Sequence, residues 1–232
     1  MKIAIDGPGG AGKSTVAKLL AKRLGMTYID TGAMYRAVAL AVARRGIGAG
    51  DAEAVIAELD SIHIDISHES DTGEQIVRLG GEDVSAQIRT QAISIGASDV
   101  SKIREVRLRL VELQREIARG RDVIMDGRDI GTVVFPDADK KYFLTASPGV
   151  RARRRYLELR SKGDFAAYET CLSDLLARDS NDSGRAFAPL VAADDAVFVW
   201  TDRMTAREAV DAMYMDITDK GSEPIRSNGA AL

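Results

Sequence analysis

The chain has 232 residues, 45% of them hydrophobic and 29% charged, with a net charge of −3. That suits one domain with insertions or two small ones, and it excludes a globally basic nucleic-acid binder, so any basic role must be local. A single cysteine, Cys171, excludes an internal disulfide framework, suits a reducing cytosol and reads as a small buried hydrophobe.

The first ten residues, MKIAIDGPGG, hold one lysine and a short apolar run, Ile3–Ile5, cut off by Asp6 and Gly7, which argues against a signal peptide. No stretch of 18 apolar residues occurs, so no membrane-spanning helix is expected. Lys2–Asp6 opens a series of short, nearly continuous apolar runs. The others are Thr27–Asp30, Asp122–Asp126, Lys140–Thr145 and Ala196–Thr201. Such runs suit parallel strands buried on both faces. Amphipathic helices are predicted between them. Ser14–Leu24 would bury Val16, Leu19, Leu20 and Leu24, with Lys18 and Lys22 outside. Ile103, Val106, Leu110, Leu113 and Ile117 form a second apolar stripe. The alternation predicts an α/β fold with a mainly parallel sheet.

Residues 61–84 break this rhythm. They alternate apolar and polar twice around DTG, the signal of an antiparallel hairpin with Ile62, Ile64 and Ile66 on one side. Residues 48–90 therefore read as an insertion in the sheet's topology. His63 and His68 come with no other ligand pattern and read as surface polar residues. Residues 220–232 are small and polar and read as a flexible tail.

Chemistry begins at GPGGAGKS, Gly7–Ser14, which matches G-x-x-x-x-G-K-[ST] between a strand and a helix. By chance that pattern arises in such a chain about one time in a hundred. Backbone N–H groups can surround phosphates only where no Cβ intervenes and φ may turn positive. The following helix aims its positive end at the same place. Lys13 would reach the β and γ oxygens and Ser14 would ligate Mg2+. A guanine reader of the Asn-Lys-x-Asp type is missing, since Asn181 and Asn228 are the only asparagines and neither precedes lysine. A compact kinase of small molecules is the leading class.

Four further segments concern the acceptor. In DTGAMYR, Asp30 ends a strand, Thr31 would cap the next helix and Arg36 follows. In DGRDIG, Asp126 ends an apolar strand, where an acidic residue supports Mg2+ in phosphate-loop proteins. Arg128 and Asp129 follow, at the sheet edge where ligands bind in open α/β folds. Arg36 and Arg128 could clamp a phosphate, and ordinary loop salt bridges account for either alone about as well. In GVRARRRYLELRSKG, Arg151, Arg154 and Arg155 fall within an arc of about 100° on a helix. A solvated or RNA-facing run is the plain alternative to an arginine lid. In RDSNDSGR, Arg178, Asp182 and Arg185 share a face within about 60°. Ser180, Asn181 and Gly184 predict a bent segment there, and structural pairing is the plainer reading of the three charges.

GPGGAGKST, DTGAMYR, GEDVSAQIRT, DGRDIGTVVFPDA, the arginine-rich segment after FLTASP, and RDSNDSGRAFAPL together resemble the bacterial cytidylate kinases, in that family's order over residues 1–216. The resemblance implies a P-loop kinase fold. Its five-stranded parallel sheet would be flanked by helices, with an inserted acceptor-binding subdomain containing antiparallel strands and a short helical lid. The implied division is a core at 1–47, 91–147 and 164–219, an acceptor insertion at 48–90 and a lid at 148–163. It implies transfer of the γ-phosphoryl of ATP to CMP or dCMP with Mg2+, by a cytoplasmic monomer that binds neither nucleic acid nor membrane. Gly7, Pro8, Gly9, Gly10, Ala11, Gly12, Lys13, Ser14 and Thr15 would hold ATP. Ser14 would bind Mg2+ directly and Asp126 through water. Thr31, Tyr35, Arg36 and Arg128 would line the acceptor site, the two arginines on its phosphate. Ser98, Arg107 and Asp129 would read cytosine. Arg178, Asp182 and Arg185 would bind the sugar and phosphate region, and Arg151, Arg154 and Arg155 would be the lid arginines. In the lid, Gly149–Val150 replaces the acidic pair common in relatives.

Cytosine offers an N4 amino donor where uracil offers an acceptor, which suits a carboxylate reader. Ser98 and Arg107 are nine residues apart, half a turn out of phase on one straight helix. Sharing a site therefore requires a helix break near Asp99–Lys102, with Ser101 expected to cap the second helix. The family often has proline where this chain has Arg104.

Overall fold

The structure, a computed structural model, describes residues 1–69, 72–161, 163 and 165–219. The expected tail at 220–232 and Asp71 of the DTG turn lie outside the described residues.

Among the described residues, eight strands and eight α-helices follow one another. They are β1 (Lys2–Asp6), α1 (Lys13–Leu24), β2 (Thr27–Asp30), α2 (Thr31–Arg44), α3 (Ala52–Glu58), β3 (Ile64–His68), β4 (Gln75–Leu79) and β5 (Glu82–Asp83). Then come α4 (Gln91–Val100), α5 (Arg104–Ile117), β6 (Val123–Asp126), β7 (Lys140–Thr145), α6 (Pro148–Ser161), α7 (Tyr168–Ser183), β8 (Val197–Trp200) and α8 (Ala206–Thr218). The five apolar runs form one parallel sheet in the order β2-β6-β1-β7-β8, and β3-β4-β5 form a second, antiparallel one. The α/β kinase-type sheet and the separate antiparallel sheet are both as expected. The chain divides into two compact units, one of residues 1–26 and 122–232 and one of residues 27–121.

In the first unit β1 is central. It pairs in parallel with β6 (Ile5 opposite Asp126) and with β7 (Asp6 opposite Phe143). β6 and β7, consecutive in sequence, thus flank β1 on opposite sides. Such a switch point opens a crevice at the carboxyl ends of the strands, and Asp6 and Asp126 end there. Ile3, Ile5, Ile124, Met125 and Leu144 are buried, which explains why the inner strands lack polar alternation. The expectation fails at the edge strand β8, where Val199 is buried but Phe198 and Trp200 are exposed. In α1 the expected stripe needs correction. Val16, Ala17, Leu20 and Ala21 are buried, whereas Leu19 is exposed. In α7 the helix continues unbroken through Ser180 and Asn181 to Ser183 and ends before Gly184. The weak helix propensity of Ser180 and Asn181 does not terminate it.

In the second unit, Ala33, Ala37, Leu40, Val77, Val84 and Ile88 form a core against which Ile64, Ile66, Leu79 and Ile93 pack. The hairpin pairs Ile64 with Leu79 and His68 with Gln75. Asp30, not Thr31, caps α2. Its Oδ1 accepts from the Ala33 N–H at 3.0 Å and Thr31 is the first helical residue. The longer Asp carboxylate serves both that N–H and an arginine.

The break in the helical stretch falls at Ser101–Ile103. Ser101 does not cap α5. It ends α4, with its hydroxyl donating to the Ser98 carbonyl at 2.8 Å. Ile103 occupies the cap position of α5 without a side-chain bond. The break comes from the termination of α4, and burial of Ile103 holds it.

Candidate active site

The phosphate loop takes its shape from close approach. Gly7 has φ +142°, and a Cβ there would lie 2.0 Å from the Leu144 carbonyl oxygen, so only glycine fits. Gly12 caps α1 in the left-handed region with no side chain in the way. Lys13 is buried at 6% exposure and donates from Nζ to the Pro8 carbonyl at 2.7 Å. Burial, then the charges of Arg128 and Arg178, push its pKa well below the lysine range, while Asp126 and Asp182 oppose them. An adjacent anion would restore its charge. Thr15 and the Ser14 residue are exposed on this end of α1.

Ser14 Oγ donates to Asp126 Oδ2 at 2.8 Å, and Asp126 is buried at the end of β6. A hydroxyl and a carboxylate are hard oxygen donors of the kind Mg2+ takes, the remaining ligands being waters and phosphates. The pair fits that ion. Among the described residues no group of three or more His, Cys, Asp or Glu forms a cage for a metal.

Beside the loop lies an arginine–carboxylate knot. A Cβ on Gly9 would meet Arg128 Nη2 at 3.8 Å and Arg178 Cδ at 3.9 Å, so both side chains flank the loop. Arg128 Nε donates to Asp182 Oδ2 at 2.7 Å, and Arg185 bonds the other oxygen of the same carboxylate. Burial alone would raise the Asp182 pKa, but Arg128, Arg185 and Arg178 outweigh it and hold it low. Burial likewise opposes the Arg128 charge, and Asp182, Asp126 and Asp179 more than restore it. Arg185 lies just beyond the end of α7, its backbone leading to Ala188 at φ +52°.

The arginines of α6 divide. Arg151 is buried and donates to the Ala146 carbonyl at 2.8 Å, to the Gly9 carbonyl at 3.0 Å and to Asp179 at 2.7 Å. Arg154 donates to Thr201 Oγ1 at 2.9 Å, to the Thr201 carbonyl at 2.6 Å and to the Ala11 carbonyl at 3.3 Å. Arg155 instead pairs with Glu158 of its own helix at 3.1 Å. Asp179 and Thr201 escaped the sequence reading. Their work is to hold another side chain, and no short motif encodes that.

In the second unit, Asp30, Arg36 and Gly32 belong together. Arg36 Nη2 donates to Asp30 Oδ2 at 2.7 Å. A Cβ on Gly32 would come within 3.1 Å of both side chains, which accounts for that glycine. Thr31 is buried, and Tyr35 lies under the Arg107 guanidinium at 5.5 Å from its ring centroid. Arg107 is 2% exposed, and its Nη1 donates to the Ser101 carbonyl at 3.3 Å. Ser101 in turn bonds the Ser98 carbonyl. The break therefore puts Arg107 at the end of α4 that bears Ser98. Ser98 Oγ is buried with no hydrogen-bond partner among the described residues. A buried hydroxyl in that state calls for a ligand or water to satisfy it.

A family model described as cytidylate kinase matches residues 3–219. A cytidylate kinase of Caldanaerobacter subterraneus subsp. tengcongensis is 53% identical over 216 residues, covering 92% of this chain and 93% of the relative. One from Geobacter sulfurreducens is 51% identical over 218 residues, covering 94% and 93%. A solved structure of an uncharacterized protein from Eubacterium ventriosum shares the fold, with a TM-score of 0.53 at 13% identity, over 95% of this chain and 99% of that one. A phosphate loop on a parallel sheet, the Ser14–Asp126 pair and matching sequence along nearly the whole chain agree, and the chain belongs to the cytidylate kinase family.

Proposed function

We propose that this chain catalyses ATP + CMP → ADP + CDP, and the same reaction with dCMP. The observation that carries the reading is the loop Gly7–Ser14 with buried Lys13 and the Ser14–Asp126 pair, in a member of this family. Gly7 to Thr15 hold the ATP phosphates on backbone amides, with Lys13 as the positive charge that amides lack. Ser14 directly, and Asp126 through water, hold Mg2+, which when bound neutralises phosphate charge.

The acceptor is already an anion, so no strong base is needed, and positioning and charge neutralisation carry the reaction. Arg36 and Arg128, with Thr31 and Tyr35, bind the acceptor phosphate and its surroundings. Ser98, Arg107 and Asp129 bind the base, Asp129 accepting from the cytosine N4 amino group. Facing uracil, the same carboxylate meets an acceptor, and such a mismatch costs on the order of 1–3 kcal/mol. Arg178, Asp182 and Arg185 bind the sugar and phosphate region. Arg151, Arg154 and Arg155 close on the transferred group from a lid at 148–163. Residues 48–90 act as an acceptor subdomain. We also infer a cytoplasmic monomer; among the described residues no helix is long and apolar enough to cross a membrane.

Initial rates of ADP formation with each nucleoside monophosphate test the reading. CMP and dCMP should be the best acceptors. Equal transfer to UMP would defeat the cytosine assignment, and no transfer to any of them would defeat the reaction.

A further inference from the structure

The last residue of β1 carries a carboxylate that none of the roles above uses. Asp6 is 4% exposed. Its Oδ1 accepts from the Ile130 N–H at 2.8 Å and its Oδ2 from the Gly131 N–H at 2.7 Å. Ile130 and Gly131 are the first two residues of a π-helical turn, Ile130–Val134, that follows directly on Arg128 and Asp129. The first N–H groups of any helical turn have no partner within it. Here they are buried, and the Asp129 side chain does not cap them. Without Asp6 two buried donors would be left over.

We propose that Asp6 is a positioning residue for the acceptor. It caps the Ile130–Val134 turn from a neighbouring strand and so sets where Arg128 and Asp129 stand. The inference rests on the assignment of Arg128 and Asp129 to the acceptor. The chemistry suits a carboxylate, because the two N–H donors bond different oxygens of Asp6 and an amide in its place would turn an NH2 donor toward one of them. Crowding fixes the register. A Cβ on Gly131 would approach Lys141 Cδ at 3.2 Å and Asp6 Oδ2 at 3.4 Å, so a larger residue would lift the turn off Asp6. The backbone of Asp6 leads straight into Gly7, whose place is fixed by Leu144. One residue thus ties the donor-binding loop to the turn that carries the acceptor's readers.

The test is Asp6→Asn in the full chain, with Gly131→Ala as a second route to the same displacement. Asn leaves one amide without an acceptor. Asp6→Asn should raise KM for CMP and lower the CMP-over-UMP ratio of kcat/KM by about tenfold, a change of about 1.4 kcal/mol. KM for ATP should stay within about twofold. Gly131→Ala should act in the same direction. In amide NMR spectra, Asp6→Asn should shift the Ile130 and Gly131 resonances. Unmoved resonances, or a rise in KM for ATP matching that for CMP, would overturn the proposal. Asp129→Ala separates it from the reading beneath. If that change leaves CMP-over-UMP preference intact, the base assignment fails. The Asp6 proposal then stands or falls on the split between the two KM values. Should Asp6→Asn fail to fold, Gly131→Ala carries the same kinetic criteria.

Discussion

Two buried carboxylates of the same unit, one adjoining the phosphate loop and one bonded to an arginine beside it, are held in opposite ways. Asp182 is gripped by guanidinium groups, Arg128 at 2.7 Å and Arg185 on its other oxygen, with Arg178 close by. Asp6 is gripped by two backbone amides. The arginines bring full charge, so Asp182 is depressed despite its burial. Amides bring dipoles only. Burial therefore pushes Asp6 up from 3.8 to about 6, the Asp129 charge adding to it while the two amides and Lys13 pull the other way. One carboxylate organises charged side chains. The other organises backbone.

Removing the charged grip should have the largest effect. Asp182→Ala leaves Arg128 and Arg185 together without their shared anion. Breaking a buried ion pair from one side costs about 3–5 kcal/mol, and urea unfolding should show a loss of that size. Arg128→Met in the same chain should recover part of it. Independent, additive losses would mean that the two side chains do not act as a unit. Asp129→Ala comes next. It should cut CMP-over-UMP preference about ten- to a hundredfold in kcat/KM, with little change in unfolding free energy. Preference surviving that change would remove Asp129 from base reading.

The same contrast explains what could be read in the chain before its structure. Part of the knot was visible because Arg178 and Asp182 recur at helical spacing, but Arg185 lies beyond the end of α7 and Arg128 reaches Asp182 from 54 residues away, which no spacing announces. The inner strands were visible because burial on both faces leaves continuous apolar runs, and the antiparallel hairpin because burial on one face leaves alternation; β8 is an apolar run that leaves one face exposed. The helix break was visible as an angular conflict between Ser98 and Arg107. Its cap was not: Ser101 turned back to the Ser98 carbonyl, a choice that depends on where α4 ends. Asp30 took the cap expected of Thr31 for a similar local reason. Asp6 was invisible as a functional residue. Its partners are amides 124 and 125 residues away, and an amide has no sequence signature. Asp179 and Thr201, which hold Arg151 and Arg154, were hidden in the same way.

Titration should separate the two carboxylates by sign. Asp6 is raised in the folded chain, so the folded state binds its proton more tightly than the unfolded one. Its contribution to stability is fully present below about pH 3.8 and is lost as pH rises through about 6. Comparing the wild type with Asp6→Asn, the difference in unfolding free energy should move against the wild type by on the order of 2 kcal/mol between pH 4 and pH 7. Lys13, Asp129 and Lys141 flank this carboxylate and remain in both proteins. Asp182 is lowered, so its contribution is present above the ordinary 3.8 and disappears as pH falls through its folded value. An Asp6→Asn difference that is flat with pH would mean that the amides alone neutralise the burial cost.

The smallest expected effect lies in the backbone of the charged region. Where φ must be positive in the phosphate loop the chain has glycine, as at Gly7 and Gly12. Beyond Arg185 it has Ala188, at φ +52° and buried, just before Pro189. An alanine in the left-handed region costs about 1–2 kcal/mol. Replacing it by glycine relieves that, but forfeits a buried methyl worth about 0.8 kcal/mol and adds about 0.5–1 kcal/mol of unfolded-state entropy. The terms nearly cancel, so Ala188→Gly should lie within about 0.5 kcal/mol of the wild type in urea unfolding. Ala152→Gly, at a fully buried position inside α6, has no strain to relieve. There the methyl and entropy terms add to about 1.5 kcal/mol or more. If Ala188→Gly cost as much as Ala152→Gly, the left-handed backbone would be a preference of this segment and not a strain imposed on it. That strain has a visible cause. The Leu190 N–H bonds the Asp182 carbonyl at 2.9 Å, so the chain must double back sharply to keep Arg185 on the carboxylate of the same residue.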